Sequence, residues 1–341
     1  MKGKKLISVL VATVASVCFV IAFNWLRDNK LPYFTRDADI YVYEDTPLPG
    51  LIDFIAEEGG ARWPGRLEKV FLKHEVNKYL TPGHYVIKKG STAVYAARML
   101  NNGWETPVHL VLSGYLRDKG DIARRISTQM MADSASIRGA FEDKELLKEF
   151  GFTPETVFAL LIPDTYEIYW TATVHDIFAR LYAEYKAFWT EENVNKAKKL
   201  GLSGMEVSIL ASIVDSETNY VPEMPKIAGV YLNRLNRGMK LQADPTIAFC
   251  YKYKVNRIYR YMLSVDSPYN TYLYAGLPPG PICVPVKEAL DAVLNPDYGG
   301  GNLFFCADPA MNGTHRFTPS YSQHLKNAYA FQKALGKLSS K

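Results

Sequence analysis

Apolar residues dominate the start of the chain and then give way to shorter periodic patterns. After the basic start MKGKK, residues 6–23 form an uncharged run, LISVLVATVASVCFVIAF. This run is close to the roughly 20 residues that cross a bilayer core. No small-x-small cleavage site follows it, and Asn24, Trp25 and Arg27 are typical of an interfacial flank. The pattern favours an uncleaved transmembrane anchor at 6–23 over a signal peptide, with 1–5 as a cytoplasmic tail.

Two later segments share one arrangement of apolar and polar positions. YVYEDTPLPGLIDFIAEEG begins at Tyr41 and YVIKKGSTAVYAARMLNNG at Tyr85, and each predicts a strand, a turn, a helix and a glycine stop. In the second segment Ser91 is the expected N-cap. Residues 108–131 form a looser third copy, which gives a repeat region over 38–132. The second segment is similar to the LysM module, which binds amino-sugar polymers in other wall proteins, and a spacer without a ligand is an equal alternative.

Helical periodicity continues over 133–203, a mainly helical connecting region, except at LLIPDTYEIYW, residues 160–170. The Pro-Asp-Thr sequence there indicates a turn and not a continuous strand. A packed loop is the simpler interpretation. The functional alternative places a carboxylate and Tyr166 at the rim of a cleft.

The segment GMEVSILASIVDSE, residues 204–217, ends in two carboxylates. Its length and composition favour a helix. At roughly 100° per residue, Glu217 shares a side with apolar Leu210, whereas Asp215 shares the opposite side with Ser212. Burial among apolar neighbours should raise the pKa of Glu217, as a general acid requires. A strand would instead place both carboxylates on one face, as in a two-carboxylate glycosidase, and an ordinary helix-end glutamate is the third alternative.

Downstream, MPKIAGVYLNRLNRG predicts a helix with Pro225 in its first turn and Gly238 as its stop. Three polar, proline-containing loops follow, LQADPT from Leu241, SPYNTY from Ser267 and GLPPGPI from Gly276. Rigid loops of this kind beside helices commonly carry binding residues, although most proline turns are only turns.

Composition narrows the function classes. The 40 basic and 35 acidic residues give a net charge of +5 and are dispersed, which argues against nucleic acid as a partner. Cys250, Cys283 and Cys306 show no CxxC spacing and the six histidines are scattered, so neither a disulfide framework, a metal site nor a cofactor is expected. The 23 tyrosines suit a carbohydrate surface, because their rings stack on sugar faces while their hydroxyls form hydrogen bonds, but a plain core would use them too.

Four blocks, ASIVDSET, LNRLNRGMKLQADPT, YNTY and GLPPGPI, occur in an order and spacing that resemble the MltG (YceG-like) endolytic murein transglycosylases. With the strand-helix segments and the PDTY run, the resemblance covers about residues 39–331 and includes the N-terminal anchor. The family's catalytic glutamate falls on Glu217. The chain departs from the family at Asp215, commonly a glutamate, and at Ser113, where Glu-Gly is expected. The first departure supports a dispensable role for position 215, and the second leaves the third copy unsupported.

The resemblance implies a membrane-anchored lyase, and Lys2, Lys4 and Lys5, which should stay inside, put the rest of the chain outside the cytoplasm. The lyase would cleave the MurNAc–GlcNAc bond of nascent peptidoglycan, leave a 1,6-anhydro end and limit glycan strand length. Glu217 would act as acid and then as base, because the sugar's own 6-hydroxyl is the nucleophile. Glycan strands are the expected substrate, and cell-wall synthases are further candidate partners. The substrate-binding candidates are Gln242, Asp244, Tyr269, Asn270, Tyr272, Glu223 and Tyr166.

The expected fold is α+β, with a transmembrane helix, small LysM-like strand-helix units and a mixed α/β catalytic domain over 204–335. Two other function classes stay open. One is a non-enzymatic peptidoglycan-binding anchor, and the other is a glycoside hydrolase that uses Asp215 and Glu217.

Overall fold

The computed structural model describes residues 2–339, so Met1, the first residue of the predicted cytoplasmic tail, lies outside the described residues together with Ser340 and Lys341. The chain divides into two compact units. The first contains the residues up to His109 together with Glu167–Ala172, and the second contains Leu110–Tyr166 and the chain from Thr173 onward. Residues 110–132, which the sequence grouped with the repeats, therefore belong to the second unit.

The first unit begins with helix α1, Lys2–Asn29. The most apolar 18-residue window of its Leu6–Asn29 segment has a mean hydropathy of 2.7, and none of that window is buried. This length and composition suit either a membrane anchor or a signal sequence. The helix continues beyond the predicted end at Phe23, and Asp28 in its last turn forms an ion pair with Arg66 at 2.7 Å.

The two similar segments of the first unit form one small domain. Its elements are β1 (Ala38–Val42), α2 (Leu48–Glu58), α3 (Pro64–Lys73), α4 (Val76–Tyr79), β2 (Gly83–Ile87) and α5 (Ala93–Asn101). The strand and helix predicted for each segment are confirmed, but the strands pair antiparallel in one sheet, with Ala38 opposite Ile87 and Val42 opposite Gly83. The N-cap of α5 is Thr92 and not Ser91, because the Thr92 hydroxyl accepts the N–H of Tyr95 in the first turn at 3.1 Å.

Strands β3 (Val108–Leu112) and β4 (Asp164–Ile168) form a second two-stranded sheet. The turn predicted for Pro-Asp-Thr is wrong, because the chain enters β4 directly after Pro163. Proline is tolerated there since the residue before a strand need not donate a ladder hydrogen bond.

The second unit is mainly helical. Its helices are α6 (Lys119–Ser127), α7 (Ser134–Ala140), α8 (Lys144–Glu149), α9 (Val174–Phe188), α10 (Glu191–Lys199), α11 (Gly204–Glu217), α12 (Met224–Asn236), α13 (Asp244–Cys250), α14 (Lys287–Leu294) and α15 (Tyr321–Ser339). Short 3₁₀ turns lie at Val157–Leu160, Val221–Glu223 and Arg260–Ser264. Strands β5 (Phe304–Ala307) and β6 (His315–Thr318) pair antiparallel.

Helix α11 lies at the centre of this unit and is buried over its middle part. It begins with a capping box, in which the Ser203 hydroxyl and the Glu206 carboxylate satisfy each other's backbone N–H groups. Every residue from Val207 to Val214 is buried, including the two serines. Ser212 donates to the carbonyl of Ile209 at 2.7 Å and accepts from the N–H of Ile282 at 3.0 Å. The side of α11 that carries Ser212, which the sequence analysis assigned to polar surroundings, therefore faces the GLPPGPI loop and not solvent.

Candidate active site

Glu217 is the last residue of α11, and its carboxylate is held by one tyrosine. The Tyr231 hydroxyl of α12 donates to Glu217 Oε1 at 2.5 Å, and the Tyr231 ring lies edge-on to Phe305 with their centroids 5.9 Å apart. Burial raises the pKa of Glu217 from 4.5 to about 7, the Tyr231 hydrogen bond opposes that rise, and the negative charge of Asp244 adds to it. A substantial share of Glu217 is therefore protonated near neutral pH.

Two adjoining cavities meet at Glu217. The site cavity, of about 470 Å³, is lined by Glu217, Tyr231, Arg234, Gln242, Asp244, Tyr272, His315 and residues of β5 and α15. The side cavity, of about 340 Å³, is lined by Glu217 and Asp244 again, together with Ser216, Arg117, Pro245, Ala248, Tyr253 and residues 255–258. Because Glu217 and Asp244 line both cavities, space for a ligand extends to either side of these two carboxylates.

The loop before α13 and the YNTY loop are tied together by a short hydrogen-bond ladder. The Gln242 N–H donates to the Thr271 carbonyl at 3.1 Å, and the Ala243 N–H donates to Thr271 Oγ1 at 3.0 Å. The Tyr272 hydroxyl donates to Asp244 Oδ1 at 2.6 Å. Gln242 has a φ of 51°, a left-handed conformation that is unusual outside glycine. This ladder fixes Gln242, Asp244 and Tyr272 at the site cavity.

Arg234 contributes a buried positive charge to the same cavity. Its Nε donates to the Leu303 carbonyl at 2.7 Å, its Nη1 donates to the Leu241 carbonyl at 2.7 Å, and its guanidinium lies 5.2 Å from the centre of the Phe304 ring. Within residues 2–339 it has no ion-pair partner. Its charge therefore stabilises the ionised form of Glu217 from a distance.

Glu223, predicted as a substrate ligand, is buried and holds a histidine. Its two oxygens accept from the N–H and from Nδ1 of His315, at 3.0 and 2.9 Å. The His315 ring lines the site cavity. Glu223 is thus placed to orient His315 and is not itself among the lining residues of the site cavity.

The remaining predicted ligands lie elsewhere. Tyr269 lines a third cavity, of about 530 Å³, with its ring 4.5 Å from that of Phe249. Asn270 is fully buried, and its side-chain amide donates to the Leu263 and Val265 carbonyls. Tyr166 is also fully buried and donates to the Ile162 carbonyl, because alternate residues of β4 point into the core. The structure thus gathers Gln242, Asp244 and Tyr272 around Glu217 and leaves Tyr166 and Asn270 in structural positions.

Asp215 is partly buried and lies 3.8 Å from the Cys283 thiol. Burial raises its pKa to about 6, while a hydrogen bond from the Val286 N–H and the positive charge of Arg117 oppose that rise. Both carboxylates therefore have raised pKa values, and their environments do not separate them as the helical angle predicted. What separates them is access, since only Glu217 lines the site and side cavities.

Tyr231, Arg234 and His315 also line the site cavity, and the sequence did not single them out as ligands. Tyr231 and Arg234 are three positions apart on the predicted α12 helix, a spacing that could have placed them on one face. Within residues 2–339 no cluster of His, Cys, Asp and Glu is arranged to hold a metal ion.

Comparison with known proteins places the chain in a family. The YceG-like family profile matches residues 40–330. A Bacillus subtilis (strain 168) protein named endolytic murein transglycosylase is 35% identical over 138 residues, which is 40% of this chain and 38% of the relative. A Streptococcus pneumoniae protein of the same name is 32% identical over 173 residues, 49% of this chain and 31% of the relative. The matches thus span about a third of these relatives' length.

The fold also matches a solved structure. A yceG-like protein from Listeria monocytogenes superimposes with a TM-score of 0.55 at 22% identity, covering 85% of this chain and 98% of that one. This similarity concerns the fold alone.

Proposed function

Because the chain belongs to the YceG-like family, we propose that it is a membrane-anchored, endolytic lytic transglycosylase that cleaves the MurNAc–GlcNAc bond of peptidoglycan and leaves a 1,6-anhydro-MurNAc end. The observation that carries the proposal is Glu217, a partly buried carboxyl with a pKa raised to about 7 that opens into two adjoining cavities. The relatives' name, endolytic murein transglycosylase, supports the same reaction.

The proposed reaction uses one carboxyl twice. Protonated Glu217 donates its proton to the glycosidic oxygen as the bond to the anomeric carbon breaks. The resulting carboxylate takes the proton of the sugar's 6-hydroxyl while that oxygen bonds to the anomeric carbon, so no water is consumed. The intramolecular nucleophile has a high effective concentration, which removes the need for a second catalytic carboxylate.

The neighbours of Glu217 suit both stages of this cycle. Burial keeps the acid form available, while the Tyr231 hydroxyl and the charge of Arg234 stabilise the carboxylate after it has given up its proton. The negative charge of Asp244 would favour the positive charge that develops on the sugar ring. Gln242 and Tyr272 offer hydrogen bonds to acetamido and hydroxyl groups.

A glycoside hydrolase is the second candidate. Asp215, its predicted partner carboxylate, does not line the two cavities at Glu217, whereas Asp244 does. Asp244 already accepts the Tyr272 hydroxyl at 2.6 Å, which reduces its capacity to activate a water. A hydrolase of this site would therefore have to use Asp244.

Full-length protein in detergent, incubated with isolated peptidoglycan and followed by mass analysis of the fragments, tests the proposal. We expect anhydro ends from the wild type and none from Glu217→Gln. Reducing ends would indicate the hydrolase, and no fragments at all would favour a glycan-binding anchor. Anhydro ends at the wild-type rate from Glu217→Gln would remove the assignment of Glu217.

The location and partners are part of the same proposal. Helix α1 would cross the cytoplasmic membrane once, with Lys2, Lys4 and Lys5 inside and both compact units outside. There the protein would meet new strands, limit their length and contact cell-wall synthases. Recovery of synthases with the anchored protein after crosslinking is the expected result, and their absence would remove this partner.

The LysM-like role of the first unit is also proposed. Tyr41 and Tyr43 are about half exposed, and their rings lie 5.1 and 4.8 Å from that of Trp170, so they offer an aromatic surface to sugar rings. The double variant Tyr41→Ala/Tyr43→Ala should sediment less with insoluble peptidoglycan. Unchanged sedimentation would favour the spacer.

A further inference from the structure

Arg117 lines the side cavity, and its positive charge acts on Asp215 although the two side chains form no ion pair within the described residues. Its guanidinium is 4.7 Å from the centre of the Tyr115 ring and 4.9 Å from that of Tyr253. Its buried Nε has no hydrogen-bond partner, and no residue within 2–339 forms an ion pair with it. A fixed, unpaired cation at a cavity is an expected binding group for an anion.

The two tyrosines that flank Arg117 are themselves held in place. The Tyr115 hydroxyl donates to Asn219 Oδ1 and the Tyr253 hydroxyl donates to the Ile282 carbonyl, each at 2.7 Å. The guanidinium is therefore oriented before any ligand arrives, which lowers the entropy cost of binding. Arginine offers a planar pair of donors that matches the two oxygens of a carboxylate.

Arg117 and Tyr253 line both the side cavity and the third cavity, of about 530 Å³, which we call the basic cavity. The basic cavity also carries Lys119, Arg138 and Lys252. Within the described residues Arg138 and Lys252 form no ion pair, whereas Lys119 pairs with Glu142 at 2.7 Å.

The other two acids of the basic cavity are engaged locally. Asp118 caps α6 by accepting the Asp121 N–H at 3.0 Å, and Glu155 accepts the Thr153 hydroxyl at 2.7 Å. Within the described residues Arg117, Arg138 and Lys252 therefore form no ion pair, and the one carboxylate on which the charge of Arg117 is seen to act is Asp215, outside the lining of both cavities. The three cations extend from a cavity that contains Glu217 into a neighbouring one.

We propose that Arg117, supported by Arg138 and Lys252, binds a free carboxylate of the peptide stem that a muramic acid residue carries next to the scissile bond. This inference rests on the proposed function and adds a specificity to it. The protein selects glycan segments whose stems are anionic over segments whose stems are amidated or removed. Sugar at Glu217 and stem in the basic cavity would be bound together.

Binding can be measured apart from cleavage in full-length Glu217→Gln protein in detergent. The probes are fluorescent glycan strands of one length in three forms: with anionic stems, with stem carboxylates converted to amides, and with stems removed so that the lactyl carboxylate is exposed. Adding Arg117→Gln should weaken binding of the first form by roughly 10- to 100-fold and leave the second unchanged, as expected for the loss of a charge-assisted pair. Arg117→Lys should retain part of the affinity.

Arg124→Gln is the matched control, because Arg124 is exposed on α6 and pairs with Asp121. Near-UV circular dichroism distinguishes a lost contact from a misfolded variant. If Arg117→Gln does not fold, the same binding comparison is made with Arg117→Lys. Equal weakening for anionic and amidated stems would overturn the proposal. So would weakening confined to the stem-free strands, or failure of the Glu217→Gln protein to bind any of the three forms. Cleavage of amidated strands into anhydro products by the wild type, at the rate of anionic ones, would overturn it while leaving the proposed reaction intact.

Discussion

Replacing Glu217 with glutamine should abolish catalysis and, at the same time, stabilise the fold above neutral pH. Glutamine has the shape of a protonated glutamate and can still accept the Tyr231 hydroxyl. The folded protein raises the pKa of Glu217 from 4.5 to about 7, because burial disfavours the charged form. A folded-state pKa above the unfolded value means that the folded state holds the proton more tightly. The contribution of this proton to the free energy of unfolding is fully present below the unfolded pKa, and it is lost as the pH rises through the folded pKa.

The size of the effect follows from the two pKa values. Ionising Glu217 costs the wild type roughly 3 kcal/mol of unfolding free energy between about pH 4.5 and pH 7. The glutamine variant lacks this cost. The two proteins should therefore have similar stability at pH 4.5, and the variant should be the more stable at pH 8, with a gain of roughly 2–4 °C in Tm per kcal/mol.

Thermal unfolding of the full-length protein in detergent, at pH values from 4.5 to 8, measures the difference. Glu68→Gln is a suitable control, since Glu68 is an exposed glutamate of α3. A Tm difference between wild type and Glu217→Gln that does not change with pH would refute the raised pKa. An unchanged cleavage rate in the variant would refute the catalytic role independently of stability.

Three further predictions concern the neighbours of Glu217 and the packing of α12. Tyr231→Phe removes a hydrogen bond that opposes the rise in the pKa of Glu217, so the alkaline limb of the pH–rate profile should move to higher pH. An unmoved limb would show that the hydroxyl does not act on the carboxyl. Asp215→Asn should keep most of the cleavage activity. At pH values above about 6, where Asp215 of the wild type is ionised, the variant should have the higher Tm. Loss of anhydro products would instead support the paired-carboxylate hypothesis. Gly229→Ala should destabilise the fold by about 1–3 kcal/mol, because a Cβ there would lie 2.0 Å from the Asp297 carbonyl oxygen. Urea unfolding measures that loss, and Gly139→Ala, where the added Cβ meets no atom within 4 Å, is its control.

Local sequence patterns were sufficient for most of the secondary structure. Strands β1 and β2 and helices α2 and α5 follow period and turn residues, whereas α3 and α4 were not predicted. Helices α11 and α12 follow apolar runs with a capping box and a proline in the first turn. These signals are short-range, so the residues that determine them are neighbours in sequence. The sequence also selected Glu217, by helical position and by family resemblance.

Tertiary packing decided what the environment of each carboxyl is. The helical angle placed Asp215 on a polar side of α11. That side is covered by the GLPPGPI loop, which lies some 70 residues later in the chain. The turn predicted at Asp164 became a strand because a partner, β3, was available to pair with it. Tyr166 and Asn270 have the chemistry of ligands, yet both are buried in the core.

The composition of the site was likewise decided by long-range contacts. Tyr231, Arg234 and His315 reach the cavity of Glu217 through the packing of α12 and β6, and the sequence around each resembles that of many structural residues. The sequence by itself determined the elements, the apolar N-terminal helix and the catalytic candidate. Only the tertiary structure decided which polar groups meet in one cavity, because desolvation and access depend on residues that are distant in the chain and adjacent in space.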